Sequence, residues 1–179
     1  MDDYDGRAMV DTIRVGGLFD SPESIVIQTR KGSNVDNWFS DEPLPYHQVK
    51  IAEQVVKRFA RIGCRVRSNI LTSRYNCHGL TFANRRTGLV ENHAIDQILR
   101  EDGYRPIQQT ELVPGDVILY KDRGAYSHSA VVIEIREVSG IRHPILLSKW
   151  GAGAEWIHSF GVPHPYSDHI AEFWTDRPK

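Results

Sequence analysis

One stretch decides how this chain folds and works: Asn76-Cys77-His78-Gly79-Leu80. Asn76 is a residue type that caps helix N-termini, which would place Cys77 in the first helical turn. There the helix dipole and the free backbone N–H groups favour the thiolate, the reactive form of cysteine. The stretch therefore predicts a helix that begins at Cys77, runs to about Arg86 and carries a nucleophilic thiol.

A base for this thiol is expected on the strand predicted over residues 127–136, where His128 stands near the start. Side chains alternate along a strand, so His128 and Ala130 share one face and Ser129 lies on the other. We expect the Cys77 helix to pack on the His128 face, because the small Ala130 side chain would let the helix come close. His128 is therefore predicted as the general base.

Adjacent His78 is the competing candidate for that role. Side chains of successive helix residues point about 100° apart, which disfavours a direct contact between His78 and Cys77. His78 is instead expected to line the site and contact substrate. Trp150 is a second candidate for substrate binding, and its alternative place is the hydrophobic core.

The group that orients the base is the least defined part of the predicted site. His158 lies on the strand-like segment 156–158 and carries a ring nitrogen that can accept a hydrogen bond. It is our prediction for this third residue. Ser148 and Lys149 are the alternatives, but a charged Lys149 has no acceptor to offer. Five arginines surround the Cys77 segment, as a solvated rim or as an electropositive mouth: Arg65, Arg67, Arg74, Arg85 and Arg86.

Composition excludes several classes of function. The formal net charge of −1 over 179 residues predicts no nucleic-acid or membrane partner. Cys64 and Cys77 are expected to be free thiols, since the acidic residues 1–5 indicate no signal peptide and a cytoplasmic default location. A specialised secretion route is compatible with this. No cofactor and no metal are expected, because the zinc alternative at His158, His164 and His169 matches no standard ligand spacing.

Periodicity along the chain predicts an α+β fold within a single domain. Helical spacing of apolar residues marks a helix over 48–62, and Asn92 would cap a third one. The predicted strands cover residues 23–30, 116–120, 127–136, 145–148, 156–158 and 170–174. Residues 1–20 are expected to be irregular. We divide the domain into an N-terminal extension, 1–45, and a catalytic core, 46–179.

Three segments resemble, in the same order, the motifs of the NlpC/P60 cysteine peptidases, a papain-like group that includes the CHAP amidases. Residues 76–80 resemble the Asp-Cys-Ser-Gly-Phe signature of that family, with His78 in place of its small residue. Residues 114–120 resemble its Pro-Gly-Asp-Leu strand, and residues 127–133 resemble its His-Val-Gly-Ile-Tyr strand. The resemblance covers about residues 48–160, including the leading helix.

This resemblance implies a nucleophile helix packed on a central antiparallel sheet that bears the base. It implies a bacterial thiol protease or amidase that cleaves an amide through a thioester, with Cys77 as nucleophile and His128 as base. Peptidoglycan stem peptides, other peptides or a protein would be the substrate. Two alternatives remain: an intracellular glutamine deamidase or transglutaminase-like toxin or effector, and a catalytically silent papain-like binding module. The insert at 86–111 would be a specificity element.

Overall fold

The computed structural model describes residues 24–40 and 42–178. In this part of the chain there are three α-helices: α1 Tyr46–Ala60, α2 Cys77–Phe82 and α3 Asn92–Glu101. A 3-10 helix covers Gln109–Glu111. The strands are β1 Arg65–Ser68, β2 Arg105–Ile107, β3 Val117–Asp122, β4 Ala125–Val138, β5 Ile141–Lys149, β6 Glu155–Ser159 and β7 Ile170–Thr175.

All seven strands form one sheet in the order β1-β6-β5-β4-β3-β7-β2. Every neighbouring pair is antiparallel. The turn between β4 and β5 has positive φ at both Ser139 and Gly140, as a tight hairpin of primed type requires. This combination of helices with an antiparallel sheet agrees with the predicted α+β class, and the predicted strands from 116 onward are confirmed.

Helices cover both faces of the sheet. On the face that we call the thiol face, α3 packs Ile95 and Leu99 against Leu119 of β3. On the opposite face, which we call the aromatic face, Phe59 of α1 meets Trp156 of β6. A strand between two such layers is buried on both sides, which decides how the candidate site is built.

Helix α1 confirms the predicted amphipathic helix, shifted by two residues toward the N-terminus. Ala52, Val55 and Phe59 form its buried stripe, as the spacing indicates. The helix follows Pro45, which cannot donate a backbone hydrogen bond, and the chain turns at Gly63, whose φ is +87°.

The strand predicted over 23–30 is wrong in the part that the structure describes. From residue 24 to 40 the chain forms only isolated bridges, among them Gln28 with Asn34 and Trp38 with Gly88. Val35 nevertheless reaches the core beside α3, so this segment is packed onto the domain. Residues 1–20 and Glu23 lie outside the described residues.

Helix α3 forms as predicted, but Asn92 does not cap it. The N-cap residue is Glu91, and the Asn92 side chain instead accepts a hydrogen bond from the Tyr126 N–H at 2.9 Å. Asn92 therefore ties the start of α3 to strand β4. The apolar side of α3 is core, so the insert at 86–111 contributes packing to the thiol face. No helix in the described ranges has the length and apolar character needed to cross a membrane.

Candidate functional site

Asn76 caps the helix that begins at Cys77, as predicted. Its Oδ1 accepts hydrogen bonds from the N–H groups of Gly79, at 2.9 Å, and Leu89, at 3.2 Å. Its Nδ2 donates to the Leu89 carbonyl at 2.6 Å. One side chain thus satisfies a free helix donor and fixes the segment that leads into α3. The helix ends at Phe82 rather than near Arg86.

The Cys77 thiol is subject to two opposing influences. Burial has the largest effect and raises its pKa to about 11. The backbone of Ser129, His78 and Cys77 and the side chain of Ser129 act in the opposite direction, each lowering this pKa. The side chain is only 6% exposed. The predicted depression of this pKa is therefore wrong for the structure as it stands, because desolvation outweighs the helix terminus.

Ser129 of β4 is the residue that faces the nucleophile helix. Its Oγ lies 3.0 Å from His78 Nδ1 and 2.9 Å from Thr81 Oγ1. Thr81 in turn donates to the Cys77 carbonyl at 3.0 Å. Cys77, His78 and Ser129 therefore form one buried polar group, fixed by Thr81. His78 is 4% exposed, so it does not line an open cleft as predicted.

The surroundings of His78 favour its neutral form. Burial lowers the pKa of His78 to about 4, although a hydrogen bond to the Tyr126 carbonyl acts in the opposite direction. A neutral imidazole can accept a proton throughout the neutral pH range. His78 therefore has the chemistry of a base, and its ring is hydrogen-bonded to Ser129.

Two charged residues on the thiol face flank Cys77. Lys149 ends β5, is fully buried, and places Nζ 4.8 Å from the centre of the Tyr75 ring while donating to the Gly153 carbonyl. Burial lowers its pKa to about 8, against the attraction of Glu155 and of Cys77. Lys149 is thus within electrostatic reach of the thiol and would stabilise negative charge there.

Glu155 is the counter-ion of this cluster. Lying opposite Lys149 on β6, it accepts hydrogen bonds from Tyr75 Oη at 2.7 Å, Arg85 at 2.6 Å and Arg67 at 2.8 Å. Burial raises its pKa, but the Arg85 and Tyr75 hydrogen bonds outweigh burial and hold the pKa below its ordinary value. Arg67 and Arg85 are therefore engaged by Glu155 and do not form a free electropositive mouth.

His128 lies on the aromatic face, away from helix α2. Its ring stacks on Tyr166 with centroids 4.1 Å apart and planes 6° from parallel, and it lies 5.4 Å from the Tyr120 ring. Neither ring nitrogen has a hydrogen-bond partner among the described residues. Burial, and then the neighbouring histidines, lower its pKa well below the ordinary value. The expectation that the nucleophile helix packs on the His128 face is wrong, because Ser129 is the residue that faces it.

The structure does not join the other two predicted site residues to the Cys77 group either. His158 bonds to Ser148 Oγ and to the Ser159 carbonyl, each at 3.0 Å, and not to His128. Trp150 is 1% exposed, stacks on Trp156 at 4.6 Å and belongs to the core with Phe59. Trp150 therefore lies in the hydrophobic core, which was the alternative to substrate binding. Its predicted contact with substrate is wrong.

The aromatic face instead collects three buried imidazoles. His164 lies between His158, at 4.9 Å between ring centroids, and His128, at 6.1 Å. Burial lowers the pKa of His158 to about 4 and that of His164 to about 3. Within the described ranges, no three His, Cys, Asp or Glu side chains are arranged to hold a metal ion.

Sequence reasoning missed Ser129 and Glu155 and left Lys149 as an alternative. The available signal was two charged residues placed opposite each other on buried neighbouring strands, since a buried charge requires a partner or a function. Both cysteines are free, as expected. No protein-family model, no curated protein and no solved structure matches this chain.

Proposed function

We propose that the chain is a cysteine hydrolase that cleaves an amide bond through a thioester on Cys77. The observation that carries this proposal is the position of Cys77 in the first turn of a helix capped by Asn76. There the backbone of Cys77, His78 and Ser129 and the Ser129 side chain act to lower the thiol pKa. Such an arrangement stabilises a thiolate and, after attack on a carbonyl, the negative oxygen that develops beside it. The nearby ammonium group of Lys149 supports the same charge.

The resting thiol is neutral, which sets the order of events. With a pKa raised to about 11, Cys77 must lose its proton as it attacks, and this requires a general base. The resemblance implies His128 as that base, whereas the hydrogen bonds of the thiol face favour His78. The tetrahedral intermediate then collapses, the C–N bond breaks and the amine leaves. Water finally hydrolyses the thioester.

Peptides are the substrates that this chemistry fits, with peptidoglycan stem peptides first because they are the common substrates of the resembled family. A protein glutamine side chain is the alternative amide, which would make the chain a deamidase or a transglutaminase-like enzyme. Hydrolysis by water gives deamidation and attack by an amine gives cross-linking. The site residues and the thioester are the same in each case.

Mass spectrometry can test the proposal directly. Wild-type protein and Cys77→Ala are incubated with peptidoglycan fragments and with a glutamine-containing peptide, and acid quenching traps the thioester. We expect a cut or deamidated substrate, and an acyl adduct on Cys77, with the wild type alone. Cys64→Ala is the matched control and keeps activity, since Cys64 lies in the core beside Phe59.

A catalytically silent binding module is the second candidate, and the burial of Cys77 favours it. A thiol that is 6% exposed admits no peptide unless the surrounding segments move. For this candidate the expected result is no adduct and no cleavage with any of these substrates. That result would remove the hydrolase proposal.

A further inference from the structure

The Ser129 hydroxyl is hydrogen-bonded to the ring of His78, the neighbour of Cys77 in helix α2, and we propose that it relays the proton from the Cys77 sulfur to His78. This inference rests on the proposed function, since the relay serves acyl transfer to Cys77. It assigns His78, rather than His128, as the residue that finally takes the proton. It also assigns Ser129, a position that the resemblance leaves without a role.

The geometry brings the three groups together. Ser129 Oγ is 3.0 Å from His78 Nδ1, and the Ser129 side chain is close enough to Cys77 to lower the pKa of that thiol. Thr81 Oγ1 lies 2.9 Å from Ser129 Oγ and 3.0 Å from the Cys77 carbonyl oxygen, and when Thr81 donates to Ser129 the Ser129 proton is directed to His78. Ser129 is fully buried, so water does not compete for these hydrogen bonds.

A bridging hydroxyl also solves the problem of helix geometry. Cys77 and His78 are adjacent in α2, and their side chains point about 100° apart. Direct transfer between them is therefore unfavourable, but a group on the facing strand can reach both. Ser129 is that group, and it can act because a hydroxyl both donates and accepts hydrogen bonds.

The proton transfers balance in each step. As the sulfur forms its bond to the carbonyl carbon, the Cys77 proton moves to Ser129 Oγ and the Ser129 proton moves to His78 Nδ1. His78 becomes an imidazolium and Ser129 remains a neutral hydroxyl. His78 then returns its proton to Ser129 Oγ, and Ser129 gives its own proton to the leaving amine as the C–N bond breaks. Water attacks the thioester carbon and gives a proton to His78 through Ser129. The C–S bond breaks, the acid leaves, and the proton returns through Ser129 to the Cys77 sulfur.

Three further titratable groups surround this route. Lys149 of β5 and Glu155 of β6 lie on the thiol face, the same side of the sheet as Cys77. His128 precedes Ser129 in β4 and lies on the opposite face. Lys149 favours the thiolate, and a protonated His128 would oppose protonation of His78. With the pKa of His78 near 4, the base stays available from about pH 5 upward.

The test follows acetylation of Cys77 by p-nitrophenyl acetate from pH 5 to 9, in a Cys64→Ala background. For the parent we expect a rate that is independent of pH between about 5 and 8, because the base is unprotonated throughout. In Ser129→Ala and His78→Asn we expect the rate at pH 6 to fall about 10²-fold. It should then rise tenfold per pH unit, as for a thiol that reacts only through its small thiolate fraction.

Three companion variants and a check of their folding make the result decisive. Ser129→Thr keeps a hydroxyl and should keep the pH-independent region, as should His128→Gln. The exposed His143→Gln is the surface control, and circular dichroism verifies the fold of each variant. The relay is overturned if the pH-independent region survives in either Ser129→Ala or His78→Asn, or if His128→Gln removes it. Either outcome leaves acetylation of Cys77 intact, whereas failure of the proposed function appears as no acetylated Cys77 at all.

Discussion

Gly79 in helix α2 and the carbonyl oxygen of Thr87 are in such close contact that a Cβ on Gly79 would lie 1.9 Å from that oxygen. The same Cβ would lie 3.0 Å from the Tyr75 Cβ. The segment after α2 can therefore fold back against the nucleophile helix only because residue 79 has no side chain. This contact holds the helix start and the chain before α3 together.

Gly79→Ala should accordingly destabilise the protein by about 3 kcal/mol, at the upper end for added volume in a packed site. The obstacle is backbone, which cannot rotate away as a flexible side chain would. Urea unfolding followed by tryptophan fluorescence measures the change. Gly161→Ala is the matched control, because a Cβ there meets nothing within 4 Å. Equal stability of the two variants would contradict the close contact.

Glu155→Gln should lower the free energy of unfolding by about 1–3 kcal/mol. Hydrogen bonds to a buried charge are strong, and the glutamine amide can accept hydrogen bonds from fewer donors than the Glu155 carboxylate. Glu155 is 1% exposed and accepts from Tyr75, Arg67 and Arg85. The exposed Glu53, paired with Lys50 at 3.0 Å, offers the control. Glu53→Gln should change stability by less than about 0.5 kcal/mol. A similar effect at both positions would mean that Glu155 is not the centre of an ion network.

Local sequence signals located most elements. The apolar spacing of α1, the Asn76 cap and the β-branched strands each depend on residues close in sequence, so they can be inferred without the tertiary fold. The strand predicted over 23–30 does not form in its described part, because β-branched residues such as Ile25 and Ile27 favour strands whether or not a neighbouring strand is available.

The side of β4 that is turned toward helix α2 could not be inferred from the sequence. Alternation shows that His128 and Ser129 lie on opposite faces, but it does not show which face receives helix α2. Both residues are fully buried, since helices and loops cover the two sides of the sheet. The usual contrast between a buried and a solvated face is therefore missing at the position on which the choice of base depends.

Trp150→Ala should destabilise the protein by about 3–5 kcal/mol, as expected for removal of a large buried aromatic ring. The ring stacks on Trp156 and packs edge-on against Phe59, with centroids 4.6 Å apart in each pair. Chemical unfolding provides the measurement, and Ile170→Ala, at a side chain 72% exposed, provides the control. An unchanged stability with weakened substrate binding would restore Trp150 to the substrate site.

The buried histidines should make the protein sensitive to acid. Folding lowers the pKa of His78 and His158 to about 4 and of His164 to about 3, and it lowers that of His128 well below the ordinary value of 6.5. Below pH 6.5 the unfolded chain therefore binds protons that the folded chain does not. Stability is highest above pH 6.5 and falls as the pH decreases toward these folded pKa values, by up to about 1.4 kcal/mol per pH unit for each group.

His128→Phe should remove one of these contributions without loss at neutral pH. Neither His128 nitrogen has a hydrogen-bond partner in the part of the chain that the structure describes, so phenylalanine sacrifices no hydrogen bond there and keeps the stack on Tyr166. We expect urea midpoints equal to or above the wild type at pH 7.5, and a smaller decrease between pH 6.5 and 5. The exposed His143→Gln should keep the wild-type decrease. A loss of stability in His128→Phe at pH 7.5 would show that the His128 nitrogens bind a partner, such as buried water, and that the ring is not held by stacking alone.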